Sequence, residues 1–120
     1  MAVIDEPQRI HITTTGRRTR LRRRLEILAQ PHGEGILLIA SKAGAARHPG
    51  WYHNLLSDPR VTVEVTGGPV VEMWARVAEG EERDDLFRAT ASRFPFFADY
   101  QRKTARRIPV VILEPITFRP

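Results

Sequence analysis

Residues 61–70 read V-T-V-E-V-T-G-G-P-V, and this stretch decides the fold. Val61, Val63 and Val65 alternate with Thr62, Glu64 and Thr66, the period-two pattern of a half-buried strand. Gly67-Gly68 is a hairpin turn, and Val70 to Glu79 returns antiparallel. Upstream, Arg9 to Thr15 alternates in the same way, with Ile10 and Ile12 on one face, and Gly16 begins a turn. Leu21, Leu25, Ile27 and Ala29 share a parity, which predicts a strand from Leu21 to Gln30. Residues 31–35 are a turn cluster, after which Ile36 to Ala40 is a nearly continuous apolar, central strand.

Downstream the period changes. Glu81 to Phe94 carries apolar residues at helical spacing, with acidic residues in its first turn where the helix dipole favours them. Pro95 breaks that helix; a second short one is expected over Phe96 to Thr104 and a last strand over Ile108 to Glu114. Six strands with about three short helices predict a mainly β, α+β fold: a small six-stranded antiparallel barrel. The helices are expected to cap one end of it.

A chain of 120 residues suits one domain, here 1–120, with a single core. There is no cysteine, which excludes a disulfide framework and zinc-thiolate sites and fits a reducing cytoplasm. No apolar run approaches the roughly 20 residues needed to span a bilayer, and the N-terminus has no signal-peptide pattern. The net charge of +5 comes from arginines and suits an anionic partner.

Two stretches carry chemistry. From Ala40 to Leu56 the chain reads A-S-K-A-G-A-A-R-H-P-G-W-Y-H-N-L-L, a strand end, a small-residue loop and a short helix that should stop at Asp58-Pro59. Free amides at that helix start, with Lys42 and Arg47 nearby, form an anion site beside the flat surfaces of Trp51 and Tyr52. Such a site suits a cofactor with a charged tail and a planar head, although Trp51 and Tyr52 also suit a core. The second stretch is the turn G-R-R-T-R-L-R-R-R, residues 16–24. Most of its arginines suit a solvated turn. Arg23, however, shares parity with Leu21, Leu25 and Ile27, so it is expected on the apolar face, where a charge wants an anionic partner.

Other chemistry is not supported. His11, His32, His48 and His53 lack ligand spacing with a carboxylate, so no metal site is expected. Ser41 and Tyr100 have no His–Asp partner for a hydrolytic triad. Glu81, Glu82, Asp84 and Asp85 read as a solvated helix start, and no dinucleotide or Walker motif is present.

Several of these segments together resemble the deazaflavin-dependent nitroreductase family, actinobacterial coenzyme F-420 oxidoreductases with a split β-barrel. The matching segments are Thr13 to Thr19, Arg23, Ala40 to Ala45, His48 to Leu55, Arg107 to Val111 and Glu114-Pro115. The resemblance runs from Arg9 to Pro115. It implies that Arg17, Arg18, Thr19 and Arg23 hold the phosphate and glutamate tail of the coenzyme. It further implies that Ala40, Ser41 and Lys42 run along the cofactor, and that Gly50, Trp51, Tyr52, His53 and Asn54 line the same groove.

Two departures concern the loops: Arg20 stands where the family usually has glycine, and Ala43 where glycine is frequent, so both loops are expected to be stiffer or differently aimed. Another concerns the substrate pocket, where nitroimidazole-reducing members carry tyrosines. Here Phe94 and Phe97 occupy two of those positions and only Tyr100 keeps a hydroxyl, which weighs against nitroimidazole reduction.

The implied activity is hydride transfer from the reduced deazaflavin to an electron-poor acceptor such as a quinone, enone or nitroaromatic. Ser41 and Tyr100 are the candidate hydrogen-bond donors, and Phe94, Phe96 and Phe97 an apolar lid. The readings that compete are a flavin mononucleotide split-barrel enzyme, a deazaflavin carrier without turnover, and a basic barrel binding single-stranded nucleic acid. No nucleic-acid partner is expected under the preferred reading, and monomer or homodimer is left open.

Overall fold

The computed structural model describes residues 2–116. Met1 and residues 117–120, part of the 1–120 span read as one domain, lie outside the described residues. Six strands form a closed antiparallel barrel: β1 (Gln8–Thr15), β2 (Arg22–His32), β3 (Gly35–Ile39), β4 (Arg60–Glu64), β5 (Val70–Val77) and β6 (Val110–Pro115). Their order around the barrel is β1-β2-β3-β6-β5-β4, closed by β4 against β1. Three helices, α1 (Gly50–Ser57), α2 (Gly80–Arg93) and α3 (Phe96–Arg102), fall where the sequence places them, α3 stopping two residues short of Thr104. The hairpin holds as read: Val63 pairs with Val71, and the Gly68 amide donates to the Val65 carbonyl at 2.9 Å. Gly67 takes φ 69°, a turn conformation that glycine adopts without a Cβ penalty.

Alternation divides the core into two layers. Ile10, Ile12, Ile36, Leu38, Val61, Val63, Met73, Val111 and Leu113 fill the barrel interior. Leu37, Ile39, Val110 and Ile112, the other faces of β3 and β6, lie under Phe87 and Phe97 outside the barrel. Strands buried on both faces read as continuous apolar runs, which explains why β3 showed no alternation. It also corrects the expected capping of one end by the helices. Only α1 joins the interior, through Trp51 and Leu55. The apolar outer faces of β3 and β6 draw α2 and α3 onto the barrel's side instead.

Boundaries shift by a few residues. β2 starts at Arg22 and runs on through Pro31 and His32, because His32 pairs with Gly35 and leaves only Gly33-Glu34 in the turn. Ala40 lies just beyond β3, its amide donating to the Pro109 carbonyl at 3.0 Å. β5 stops at Val77, short of Glu79, and β6 begins at Val110 rather than Ile108. Single backbone bonds still join these ends, the Ala78 amide donating to the Val110 carbonyl at 2.9 Å.

Candidate functional site

One end of the barrel is built from the β1–β2 turn, the β3–α1 loop and the start of α1. Asn54 ties the first to the third: its Oδ1 accepts from the Arg17 amide at 3.1 Å and its Nδ2 donates to the buried Thr14 hydroxyl at 3.2 Å. Within the turn, the Thr19 hydroxyl accepts from the Leu21 amide at 3.2 Å. Gly16 lies close beneath the turn, where a Cβ would stand 2.8 Å from Thr19 Oγ1 and 3.2 Å from the Leu21 carbonyl, so a side chain there would force a shift. The turn thereby carries Arg17, Arg18, Thr19 and Arg23 onto one cavity of about 220 Å³, shared with Gly50 and Asn54.

Arg23 corrects its expectation. It faces inward by register, opposite the buried Thr14, but it sits at the last pairs of the ladder. It is exposed, and its guanidinium passes the barrel's rim to approach Gly16 rather than the apolar interior. Leu21, also expected inside, is 61% exposed because β2 has not yet begun.

The β3–α1 loop makes a single 3₁₀ turn, Lys42–Gly44, with left-handed φ at Lys42 (45°), Ala43 (51°) and Gly44 (80°). Gly44 is pressed against α3, where a Cβ would meet the Tyr100 carbonyl at 2.7 Å. Arg20 in the other loop also takes positive φ, 63°. The two positions singled out as departures from glycine therefore both adopt the conformation that favours glycine.

Ser41, Lys42, Trp51, Phe96, Phe97 and Tyr100 line a second cavity of about 400 Å³ over the outer edge of β2 and β3. Phe94 does not reach it. Its ring packs edge-on to Phe97 one layer behind, with centroids 6.3 Å apart. Trp51 is 8% exposed and belongs to the interior core as well as to this wall, so both readings of it apply. Tyr52 turns the other way, its ring 4.7 Å from that of His48, and lines a different cavity with Glu79 and Arg83. Burial, then the Glu79 carboxylate, raise its phenol pKa.

A fourth cavity, about 450 Å³, is lined by Arg17, Lys42, Arg47, His53 and Arg106 and shares residues with the first two. Arg17, Arg18, Arg23, Lys42 and Arg47 form no ion pair among the described residues. The first amides of α1, at Gly50 and Trp51, have no intrahelical acceptor. Burial, then Arg17, lower the His53 pKa. Cations without carboxylates beside free helix amides call for an anion.

Arg106 is a residue the sequence did not single out. Its guanidinium donates to the carbonyls of Ala45 (2.8 Å), Ala40 (3.2 Å) and Ser41 (2.6 Å) and meets His48 Nδ1 at 3.0 Å. His48 must accept there, which needs the neutral ring. Burial first, then the charges of Arg106 and His53, hold its pKa below the ordinary value. Arg83 plays a comparable part behind α2, donating to the Ile108 carbonyl and Gln101 Oε1. Both act on acceptors distant in sequence, which no local pattern marks.

Residues 3–115 match the family model described as F420H(2)-dependent quinone reductase. The chain belongs to that family. It is therefore an oxidoreductase of a family that depends on coenzyme F-420. A quinone reductase of Mycobacterium tuberculosis, dependent on the same reduced coenzyme by its name, is 33% identical over 121 residues, covering 89% of this chain and 73% of the relative. A solved F420-H2 dependent reductase (FDR-A) superposes with a TM-score of 0.78 at 35% identity, over 95% of this chain and 99% of that one. A second structure, a domain-swapped dimer, gives the same score and identity over 95% of this chain and 84% of that one. Among the described residues no helix is long and apolar enough to cross a membrane.

Proposed function

We propose that the protein takes a hydride from reduced coenzyme F-420 and delivers it to a small electron-poor acceptor of the quinone class. The single observation behind this reading is the run of linked cavities around the start of α1, aromatic at one end and lined with unpaired cations at the other. The residues fit the coenzyme's chemistry. Arg17, Arg18 and Arg23 suit the anionic tail with Gly50 and its amide, while Lys42, Arg47 and His53 extend the basic surface. The cavity between Ser41, Trp51 and the α3 aromatics suits a planar ring.

When bound, the reduced deazaflavin supplies the hydride, and the protein contributes orientation and surroundings. Phe96 and Phe97 exclude water from the acceptor. The hydroxyls of Ser41 and Tyr100 line the same cavity and offer hydrogen bonds to the negative charge that develops on an acceptor oxygen. Quinones are the acceptor class in the family's description and in the relatives' names. Nitroaromatics and enones rank lower, because neither is named there, and Phe97, which lines the cavity, carries no hydroxyl.

The test is a fluorescence titration with oxidised coenzyme F-420, with flavin mononucleotide in parallel, followed by turnover of a naphthoquinone by the reduced coenzyme. Micromolar or tighter binding of the deazaflavin with turnover is expected. Gly50→Ala sharpens it, because a Cβ there meets nothing within 4 Å in the protein alone and Gly50 lines the cavity assigned to the tail. That variant should weaken coenzyme binding without lowering the Tm. Preference for flavin mononucleotide moves the protein to the sister class, and binding without turnover makes it a carrier. Binding of neither cofactor sinks the proposal and directs attention to oligonucleotides.

A further inference from the structure

We infer that Arg106 is a positioning residue that clamps the β3–α1 loop into the shape that presents Ser41 and Lys42 to the coenzyme, an inference that rests on the function proposed above. The loop needs a clamp. Three consecutive residues take left-handed φ, two of them with side chains, and that conformation is unfavourable for L-residues. Only two backbone bonds hold the turn internally: the Gly44 amide to the Ser41 carbonyl at 2.9 Å, and the Ala45 amide to the Lys42 carbonyl at 3.0 Å. Neither ties it to the rest of the molecule.

Arg106 supplies that tie from the segment preceding β6. It grips Ala40 and Ser41 on one side of the turn and Ala45 on the other, so both ends are held at a fixed separation. Ala40 is itself anchored to Pro109, three residues beyond Arg106, which makes the two segments one unit. The fourth donor direction goes to His48, at the approach to α1. Charge-assisted bonds from a planar fork reach several acceptors at once, as a lysine ammonium on its flexible stem does not. The guanidinium's own charge is spent on backbone carbonyls, so it acts through the loop and not as a ligand.

Three variants test this: Arg106→Gln, Arg106→Lys and, as a control for lost charge, Arg107→Gln, whose parent residue pairs with Asp84 away from the loop. The first readout needs no coenzyme. Amide hydrogen exchange at Gly44 and Ala45 should speed up in both Arg106 variants while Ile36 to Ile39 in β3 stay protected, and Arg107→Gln should leave all of them unchanged. The second is affinity for oxidised coenzyme F-420. It should fall about tenfold in Arg106→Gln, the scale of one charge-assisted contact. Arg106→Lys should remain nearly as weak, because it restores charge and not the fork. The third is a double-mutant cycle with Lys42→Ala, in which the losses should be clearly less than additive.

Full rescue by lysine, additive losses with Lys42→Ala, or unchanged exchange at Gly44 and Ala45 would each overturn the inference. A wild-type protein that binds no coenzyme would sink the functional reading instead. The clamp would then be judged on exchange alone, where acceleration supports it and its absence refutes it.

Discussion

The barrel wall and the barrel mouth treat the same residue type in opposite ways. On the wall, Arg9, Arg24 and Arg76 have carboxylate partners, Glu26, Glu64 and Glu82, each at 2.8 Å, while Arg22 donates to the Thr15 and Thr62 hydroxyls. At the mouth, Arg20 reaches Asp58 at 3.6 Å, but Arg17, Arg18, Arg23, Lys42 and Arg47 have no carboxylate partner among the described residues. The backbone differs too. The wall is regular strand, whereas Arg20, Lys42 and Ala43, the positive-φ residues other than glycine among the described residues, all stand at the mouth. Exposed pairs such as those on the wall contribute little to stability. Their effect is to neutralise the wall, so that the chain's excess of positive charge is concentrated where the loops meet α1. Stability resides in the wall, and the coenzyme binding proposed above belongs to the mouth.

The largest expected effect lies on the wall side. Leu38 is fully buried in the barrel interior, so Leu38→Ala should cost about 2–5 kcal/mol of stability by lost burial and a cavity. Chemical denaturation would measure it, and the fraction still folded should bind coenzyme normally. The mouth should behave in the reverse way. Arg23→Ala is expected to weaken coenzyme binding about tenfold or more with little change in Tm. Arg24→Ala, one residue away on the wall, should leave affinity unchanged. Equal losses in the two variants would erase the distinction between the regions.

A smaller effect tests the strain. Ala43→Gly removes a left-handed penalty of roughly 1–2 kcal/mol per residue, against which glycine's extra unfolded freedom of roughly 0.5–1 kcal/mol must be set. A modest rise in Tm is expected, with Arg20→Gly behaving alike. Smallest is the response to pH. His48 and His53 titrate below the ordinary histidine value in the folded protein, so as pH falls through about 6.5 the unfolded chain binds protons that the folded one refuses. The stability they contribute is complete above that pH and declines below it, until the folded-state values are reached. Tm at pH 5.5 should lie below that at pH 7.5, by a smaller margin in His48→Gln.

Much of this division is legible in one dimension. The alternation of Val61 to Val65, the glycine pair and the apolar run of β3 carry the barrel, because side chains of a strand face opposite sides in turn. The arginine-rich turn and the Pro49-Gly50 helix start mark the mouth, because helix capping and turn chemistry are local. Arg23 shows where the reading stops. Its parity was read correctly, yet parity says nothing about how near a residue stands to the end of the ladder, and there an inward-facing side chain reaches solvent. Tyr52 on α1 and Phe94 just past α2 show the same limit, since a motif names a position without saying which way its side chain turns.

By itself, then, the sequence determined the number and kind of strands, the positions of the three helices, the basic turn, and membership of a coenzyme F-420-dependent family. These follow from periodicities and motifs encoded within a few residues. Only the tertiary structure decided that α2 and α3 lie along the barrel's side, that Asn54 joins the turn to α1, and that Arg106 holds carbonyls some sixty residues away. Each depends on distant backbone groups brought together by barrel closure, and a backbone carbonyl looks the same at every position of a sequence.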